Sequence, residues 1–367
     1  MFGNPTLHSA EFITFVNLLF LKFQNYLFHS SQEAEHDIPT FLVGTQSMKD
    51  DNAVHMFELS EETGDLTATS YLHPTGEIWN ITSSPQHRHL IATCHSHVED
   101  GVNLVSGATV WRLGSEEVIL ERLGDLSAHK APVRGTEWGG EGYEGLLCSL
   151  GDNSLIRWEV GSEIREVGSC ELPKRASPTS LRWNHHHGNL VGVATDTHVR
   201  LYDLRAMKCS TVIEQSHTQT VRDLDYNPNK QYTLVTCGDD CETRFWDTRN
   251  TGSPLLSFNT HSHWVWKVRY NLRDQLLLTG GSDSKVVLLN VSSLASESLS
   301  DGEEEEGEKE QKVVMEEGVL EEFDEHEDSV YSVAWSTVDP WLFASLSNDG
   351  RLVLNKVSKE IKFNIIL

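Results

Sequence analysis

Short runs of alternating hydrophobic and polar residues, bounded by Gly, Asn, Asp and Ser, follow one another through most of this chain. VRDLDY at 221–226, ETRFWD at 242–247 and VWKVRY at 265–270 show the pattern. A period of two sends one face of an extended segment into a core, so each run predicts a strand. The runs gather into six clear units near 73–111, 129–160, 175–205, 217–249, 261–291 and 326–357. A degenerate unit precedes them, with strands near 41–47 and 53–59, which makes seven.

Within the units one aspartate returns at a fixed spacing. Asp152, Asp196, Asp240 and Asp283 are 44, 44 and 43 residues apart, and six residues after them come Trp158, Tyr202, Trp246 and Leu289. His129, His217 and His326 stand 23 residues before Asp152, Asp240 and Asp349. A second column, Trp138, Trp183, Tyr226, Tyr270 and Trp335, falls at the end of each first strand, where large aromatics fill the wedge between neighbouring sheets. A period in the forties with four strands per unit, His near the start and Trp-Asp near the end resembles the WD40 repeat. It implies an all-β, seven-bladed β-propeller over residues 38–367.

The spacing has a physical reason. One small sheet cannot bury both faces alone and must stack on its neighbours. The aspartate sits in a tight turn, where its carboxylate can accept hydrogen bonds from turn amides and from the upstream histidine. The histidine reaches a strand hydroxyl, and the indole N–H closes the set. Such a buried polar cluster is tolerable only when every member has a partner. A cluster that recurs in each unit is therefore expected to be structural, whereas an active site occurs once.

Charge changes the picture in one place. The formal net charge is −26, but half of it lies between Asp301 and Asp328, where fifteen acidic residues face only Lys309 and Lys312. The Glu-rich insertion at 299–318 is expected to be a disordered loop, between the two outer strands of the sixth blade. The acidic balance argues against nucleic acid as the main ligand.

Residues 1–37 form an atypical N-terminal segment. FITFVNLLFL at 12–21 is too short for a transmembrane helix, and residues 1–11 hold no Lys or Arg to begin a signal peptide. The segment is expected to supply a first or closing strand, with an atypical leader as the alternative. No direct membrane insertion is expected. The six cysteines form no CxxC pair and read as reduced thiols on strands of a cytoplasmic protein.

Chemistry finds little purchase. His185-His186-His187 precedes Gly188 at a turn, and three adjacent residues cannot all face one ion from an extended chain. Cys94, His95, His97 and Asp100 offer mixed ligands on an expected loop. GxSxG, Walker and HExxH patterns are absent. No catalytic residue, metal or cofactor is expected, and the protein reads as a binding module rather than an enzyme.

Several segments carry a closer likeness. VRDLDYNPNKQYTLVTCGDDCETRFWDTRN (221–250), HSHWVWKVRYNLRDQLLLTGGSDSKVVLLN (261–290) and EHEDSVYSVAWSTVDPWLFASLSNDGRLVLNKV (325–357), with FLVGTQSMKDDNAVHMFEL (41–59) and GEIWNITSSP (76–85), resemble the EARP- and GARP-complex-interacting protein family. The likeness runs from about residue 38 to the C-terminus, and the chain departs from the family before residue 31. The resemblance implies a non-enzymatic propeller that binds subunits of the EARP and GARP tethering complexes. It further implies a place at the trans-Golgi network and at early and recycling endosomes through those partners, as a monomer within a larger assembly, in endosomal recycling and retrograde transport.

Two candidate surfaces follow. In each first strand, the residue right after the leading Val or its equivalent falls where WD40 propellers expose their narrow face: Trp79, Arg134, Thr179, Arg222, Trp266 and Tyr331. Five of the six are Trp, Tyr or Arg, the types enriched at binding hot spots. Packing of Trp79 beneath neighbouring loops is the structural alternative. The second surface is YDLR at 202–205 and WDTR at 246–249, which resemble the WDxR boxes of cullin-RING ligase substrate receptors and would present Arg205 and Arg249 to an adaptor. A surface salt bridge to the preceding aspartate is the simpler role for both arginines.

Overall fold

A computed structural model describes residues 11–14, 18–21, 38–47, 51–60, 63–99, 103–114, 118–273, 275–295 and 316–366. Within them, seven antiparallel sheets of four strands each stand around a central channel. Blade 1 comprises Leu18–Leu21, Thr40–Thr45, Asn52–Leu59 and Leu66–His73. Blade 2 comprises Glu77–Ser83, Leu90–Glu99, Asn103–Leu113 and Leu120–Asp125, and blade 3 Val133–Trp138, Leu146–Gly151, Ser154–Val160 and Ile164–Glu171. Blade 4 comprises Pro178–Trp183, Leu190–Thr195, His198–Asp203 and Lys208–Ile213, and blade 5 Val221–Tyr226, Thr233–Gly238, Glu242–Asp247 and Leu256–Asn259. Blade 6 comprises Val265–Tyr270, Leu276–Gly281, Val286–Asn290 and Gly318–Phe323. Blade 7 takes Val330–Trp335, Leu342–Ser347 and Arg351–Lys356 from the end of the chain and Glu11–Thr14 from its beginning.

The ring closes through that last exchange. Glu11 pairs with Leu354 and Thr14 with Arg351, while Leu18 pairs with Thr45 in blade 1. The first strands touch one another around the channel, and Leu18–Leu21 meets both Glu77–Ser83 and Val330–Trp335. An annular sheet stack of this kind leaves no long free edge between blades. The acidic insertion joins Asn290 to Gly318, between the third and fourth strands of blade 6; its residues 296–315 lie outside the described residues, as do 22–37 of the N-terminal segment.

The core is divided among the wedges. One apolar cluster joins blades 2 and 3 through Val110, Val133, Trp138 and Trp158, and another joins blades 6 and 7 through Leu278, Val333, Trp335 and Phe343. Each further blade interface has its own cluster, through to the one joining blades 7 and 1. The aromatic column does this packing. Trp138 is buried and donates its indole N–H to the Thr82 carbonyl of blade 2, and Trp335 does the same to the Arg269 carbonyl of blade 6. Truncating such a side chain to Ala typically costs about 3–5 kcal/mol.

The repeated polar cluster is complete in blade 5. His217 Nδ1 lies 2.7 Å from Asp240 Oδ1, His217 Nε2 lies 2.8 Å from Thr236 Oγ1, and the Trp246 indole donates to the same hydroxyl at 3.0 Å. Burial pushes the Asp240 carboxyl up, but the hydrogen bond and charge of His217 outweigh it and hold the pKa near 2. Blade 6 repeats the His–Asp–Thr part of the set with His261, Asp283 and Thr279, and has Leu289 where blade 5 has Trp246; His261 precedes its aspartate by 22 residues instead of 23, which hid it from the spacing.

Other units depart from the expected set. Asp152 turns away from His129 and takes the Arg134 guanidinium instead, leaving His129 to Ser149 and Ser154. Asp196 follows no upstream histidine; it adopts a left-handed φ of 52° and accepts the Ser177 amide. Asp349 accepts the Glu327 amide at 2.8 Å and stands 3.6 Å from His326 Nδ1. In the unit opening with His73, Thr93 and Trp111 complete the network without an aspartate.

The channel mouth as candidate binding site

Each candidate face residue occupies the same backbone feature. In blade 3, Val133 pairs with Gly151 but Gly135 pairs with Leu150, so Arg134 has no opposite number. The register skips Trp79, Thr179, Arg222, Trp266 and Tyr331 in the same way in blades 2, 4, 5, 6 and 7. A β-bulge bends its strand and re-aims the extra side chain. Six bulges at one height therefore turn six side chains toward the channel mouth, and all six line one cavity of about 780 Å³.

Those side chains are held from beneath. Arg222 makes a two-point contact with Asp239, at 2.5 and 2.8 Å, and its guanidinium lies 4.4 Å from the centre of the Trp266 ring. Trp266 donates to the Ser282 hydroxyl, and its ring centre lies 4.8 Å from that of Tyr331. Arg134 grips Asp152 with Nε and Nη2. Trp79 donates to Ser96 and remains 46% exposed, so no loop covers it. Thr179 differs from the rest: its hydroxyl donates to the Val221 carbonyl at 2.6 Å, which ties blade 4 to blade 5.

Sequence reasoning missed the layer below. Lys267 and Arg269 alternate along the blade 6 first strand and also line the cavity. Both face Asp223 of blade 5, which is fully buried and accepts from Ser180 of blade 4. Arg182 lies 3.0 Å from Glu137 of blade 3 and 3.4 Å from Asp225 of blade 5. Burial works against the Arg182 charge, but Asp225 and Glu137 outweigh it and raise its pKa. Buried pairs of this kind contribute little net stability; here they link blades 3, 4, 5 and 6 in one continuous layer. Trp264, 6.0 Å from Trp266 and 39% exposed, extends the aromatic surface outward.

The alternative surface is already engaged. Arg205 folds back on Asp203 at 3.0 Å, and Arg249 folds back on Asp247 at 2.6 Å with its guanidinium 4.5 Å from the Tyr232 ring centre. The histidine tract forms a turn after Asn184, whose side chain accepts the His186 and His187 amides. Cys94, His95 and His97 lie on the second strand of blade 2 and not on a loop. Cys241 sits in a turn with φ of 66° rather than on a strand. No cluster of three metal-ligating side chains occurs among the described residues, and no described helix is long and apolar enough to cross a membrane.

Bladed sheets, His–Asp networks and a ring of bulged side chains together define a WD40 β-propeller. A family model described as the EIPR1 beta-propeller matches residues 25–289, so the family likeness begins ahead of residue 31, the point before which the chain is expected to depart from it, and one for the WD domain, G-beta repeat, matches residues 318–354. The chain belongs to the EIPR1 beta-propeller family. It is 42% identical to EARP and GARP complex-interacting protein 1 of Homo sapiens, over 92% of this chain and 95% of that protein. Identity is likewise 42% to the EARP-interacting protein homolog of Gekko japonicus and 35% to EARP-interacting protein 1 of Caenorhabditis elegans, with the same coverage.

Proposed function

We propose that this chain is a non-enzymatic adaptor that binds the EARP and GARP vesicle-tethering complexes through its channel mouth. It supports their recruitment in endosomal recycling and in endosome-to-trans-Golgi retrograde transport. On this reading it acts in the cytoplasm as a monomeric propeller, held at the trans-Golgi network and at early and recycling endosomes by its partners. The names of its relatives supply the partner. The observation that carries the site is the convergence of six bulged side chains, five of them Trp, Tyr or Arg, on one cavity. Such residues, rigidly held near the centre of a face, are the anchors from which protein interfaces draw most of their energy.

The test is affinity purification of the tagged full chain from cytosol, followed by identification of what co-elutes. Tether subunits in stoichiometric amounts are expected. Recovery of cullin adaptors without tether subunits would overturn the reading.

A further inference from the structure

The chain carries 55 acidic residues against 29 basic ones, yet among the described residues lining the channel mouth none is Asp or Glu. Four are cationic: Arg134, Arg222, Lys267 and Arg269. We propose that the mouth receives an acidic segment of the tethering partner, with a bulky apolar side chain beside its carboxylates. The proposal rests on the adaptor function above and specifies the chemistry of what is bound.

Geometry sets the sign of the ligand. Asp152, Asp223 and Asp239 hold the four cations but contribute nothing to the cavity wall. Arg134 and Arg222 each contact their carboxylate through Nε and Nη2, which leaves Nη1 free to donate to a ligand. Asp223 faces both Lys267 and Arg269, in a buried layer that Arg182, Glu137 and Asp225 complete at three cations against three carboxylates, so the cations and not the carboxylates of that layer reach the wall. Two of the aromatic rings are already capped, since the Arg222 guanidinium lies 4.4 Å from Trp266 and 5.4 Å from Trp264. A basic segment would meet like charge at both of those rings. An acidic one meets fixed donors that lose little freedom on binding.

Blade 2 supplies the apolar part. Its second and third strands, of 10 and 11 residues, run on past the outer strand, which pairs only with Thr109–Leu113. The projecting hairpin rises on the cavity side. It places Leu104, 64% exposed, at the cavity wall near Trp79, with Val98 paired opposite. Exposed apolar residues scattered singly mean little, but a cluster at the edge of a cavity marks a contact surface. Among the described residues Asn103–Gly107 pairs only with His95–Glu99, and its unpaired edge is on the side of the outer strand, so the contact offered to the mouth is the Leu104 side chain and not that edge. The acidic insertion of this chain is not the occupant proposed, because its anchors Asn290 and Gly318 lie at the opposite end of blade 6 from Trp266.

Fluorescence anisotropy with the full chain tests this, using three fluorescein-labelled dodecapeptides. They share Leu and Phe positions and differ only in carrying Glu, Gln or Lys between them. The Glu peptide is expected to bind saturably, weakening about tenfold between 50 and 300 mM salt as charges are screened, while the Gln and Lys peptides do not. Leu104→Asp, at an exposed site, should weaken the Glu peptide at least about fivefold with an unchanged melting temperature. In parallel, the Glu peptide should displace captured tether. Absence of saturable Glu-peptide binding, equal binding of the Gln peptide, or insensitivity to Leu104→Asp would overturn the proposal. Tether captured normally in the presence of saturating Glu peptide would overturn it too, while leaving the adaptor function standing. Failure of the unmodified chain to capture tether, with no peptide added, tells instead against the adaptor function.

Discussion

Arg222 is clamped between Asp239 of its own blade and the Trp266 ring of the next, with the guanidinium 4.4 Å from the ring centre and 2.8 Å from the carboxylate. The two residues are 44 positions apart and occupy equivalent bulges. Repetition alone sets them side by side. The clamp spans the joint between blades 5 and 6, so fold and face are made by the same spacing.

The His–Asp networks are structural, and their uneven completion gives a graded expectation. Asp240→Ala should lower stability by about 1–3 kcal/mol, because His217 and the Thr218 amide lose an acceptor in a buried site. Asp152→Ala should cost less, since Asp152 serves the half-exposed Arg134 and His129 keeps both of its hydroxyl partners. Urea denaturation of the two variants measures the order. An Asp152 variant less stable than the Asp240 variant would refute it.

Stability should fall in two stages on acidification. Burial holds His73, His95 and His129 near a pKa of 4, against 6.5 for the free side chain. Between those values the unfolded chain takes up the proton and the folded one resists it, so lowering the pH from about 6.5 to 4 destabilises the fold, by on the order of 1–3 kcal/mol per histidine. Asp240 and Asp283, held near 2 against an ordinary 3.8, add a second loss as the pH falls from about 4 to 2. Their stabilising contribution is complete only above the ordinary value. Melting temperatures measured from pH 7 to pH 3 check the sign; a flat profile between pH 6.5 and 4 would exclude the histidine contribution.

Removing residues 301–315 should leave the melting temperature unchanged, since loop closure changes by only about 0.6 kcal/mol per doubling of length. The cut must stop there. Asn290 donates to the Glu316 carbonyl at 3.0 Å, and the Ser293 amide donates to the Glu317 carboxylate at 2.7 Å. Extending the deletion through 317 should therefore lower the melting temperature, and differential scanning calorimetry on both deletions separates the cases. Equal melting temperatures would mean those two bonds contribute nothing.

What the sequence revealed and what it concealed follow from how each feature is encoded. The blade period, the aromatic wedge column and the face positions are written as residue types at fixed intervals, so Trp138 or Arg222 could be located by counting. The bulges that aim Trp79 through Tyr331 leave no such mark, because an extra residue in one strand shows only when its partner is known. Blade 6 dropped out of the histidine series through a single-residue change in spacing at His261. Asp152 kept its place in the series but changed its partner, since Arg134 competes for the same carboxylate. Lys267 and Arg269 looked like ordinary polar alternation. Only the approach of Asp223 from blade 5 makes them part of the site.

Arg249→Ala should leave both melting temperature and tether capture as they are. Its guanidinium is solvent-exposed and, among the described residues, meets Asp247 and the Tyr232 ring, on the rim. Exposed pairs of this kind contribute little. Loss of tether recovery in a pull-down with this variant would move the contact surface to the rim of blade 5.

The most direct measurement is tether pull-down with the double variant Trp266→Ala/Arg222→Ala, its fold checked by circular dichroism and thermal melting. Loss of two central anchors typically removes about 2–4 kcal/mol of binding, enough to empty a washed resin of a micromolar partner. Some stability will be lost as well, because Asp239 is left without its cation. The expected result is a cooperatively folded propeller that no longer retains the tethering complex, and full retention by the folded double variant would contradict the assignment of binding to the channel mouth.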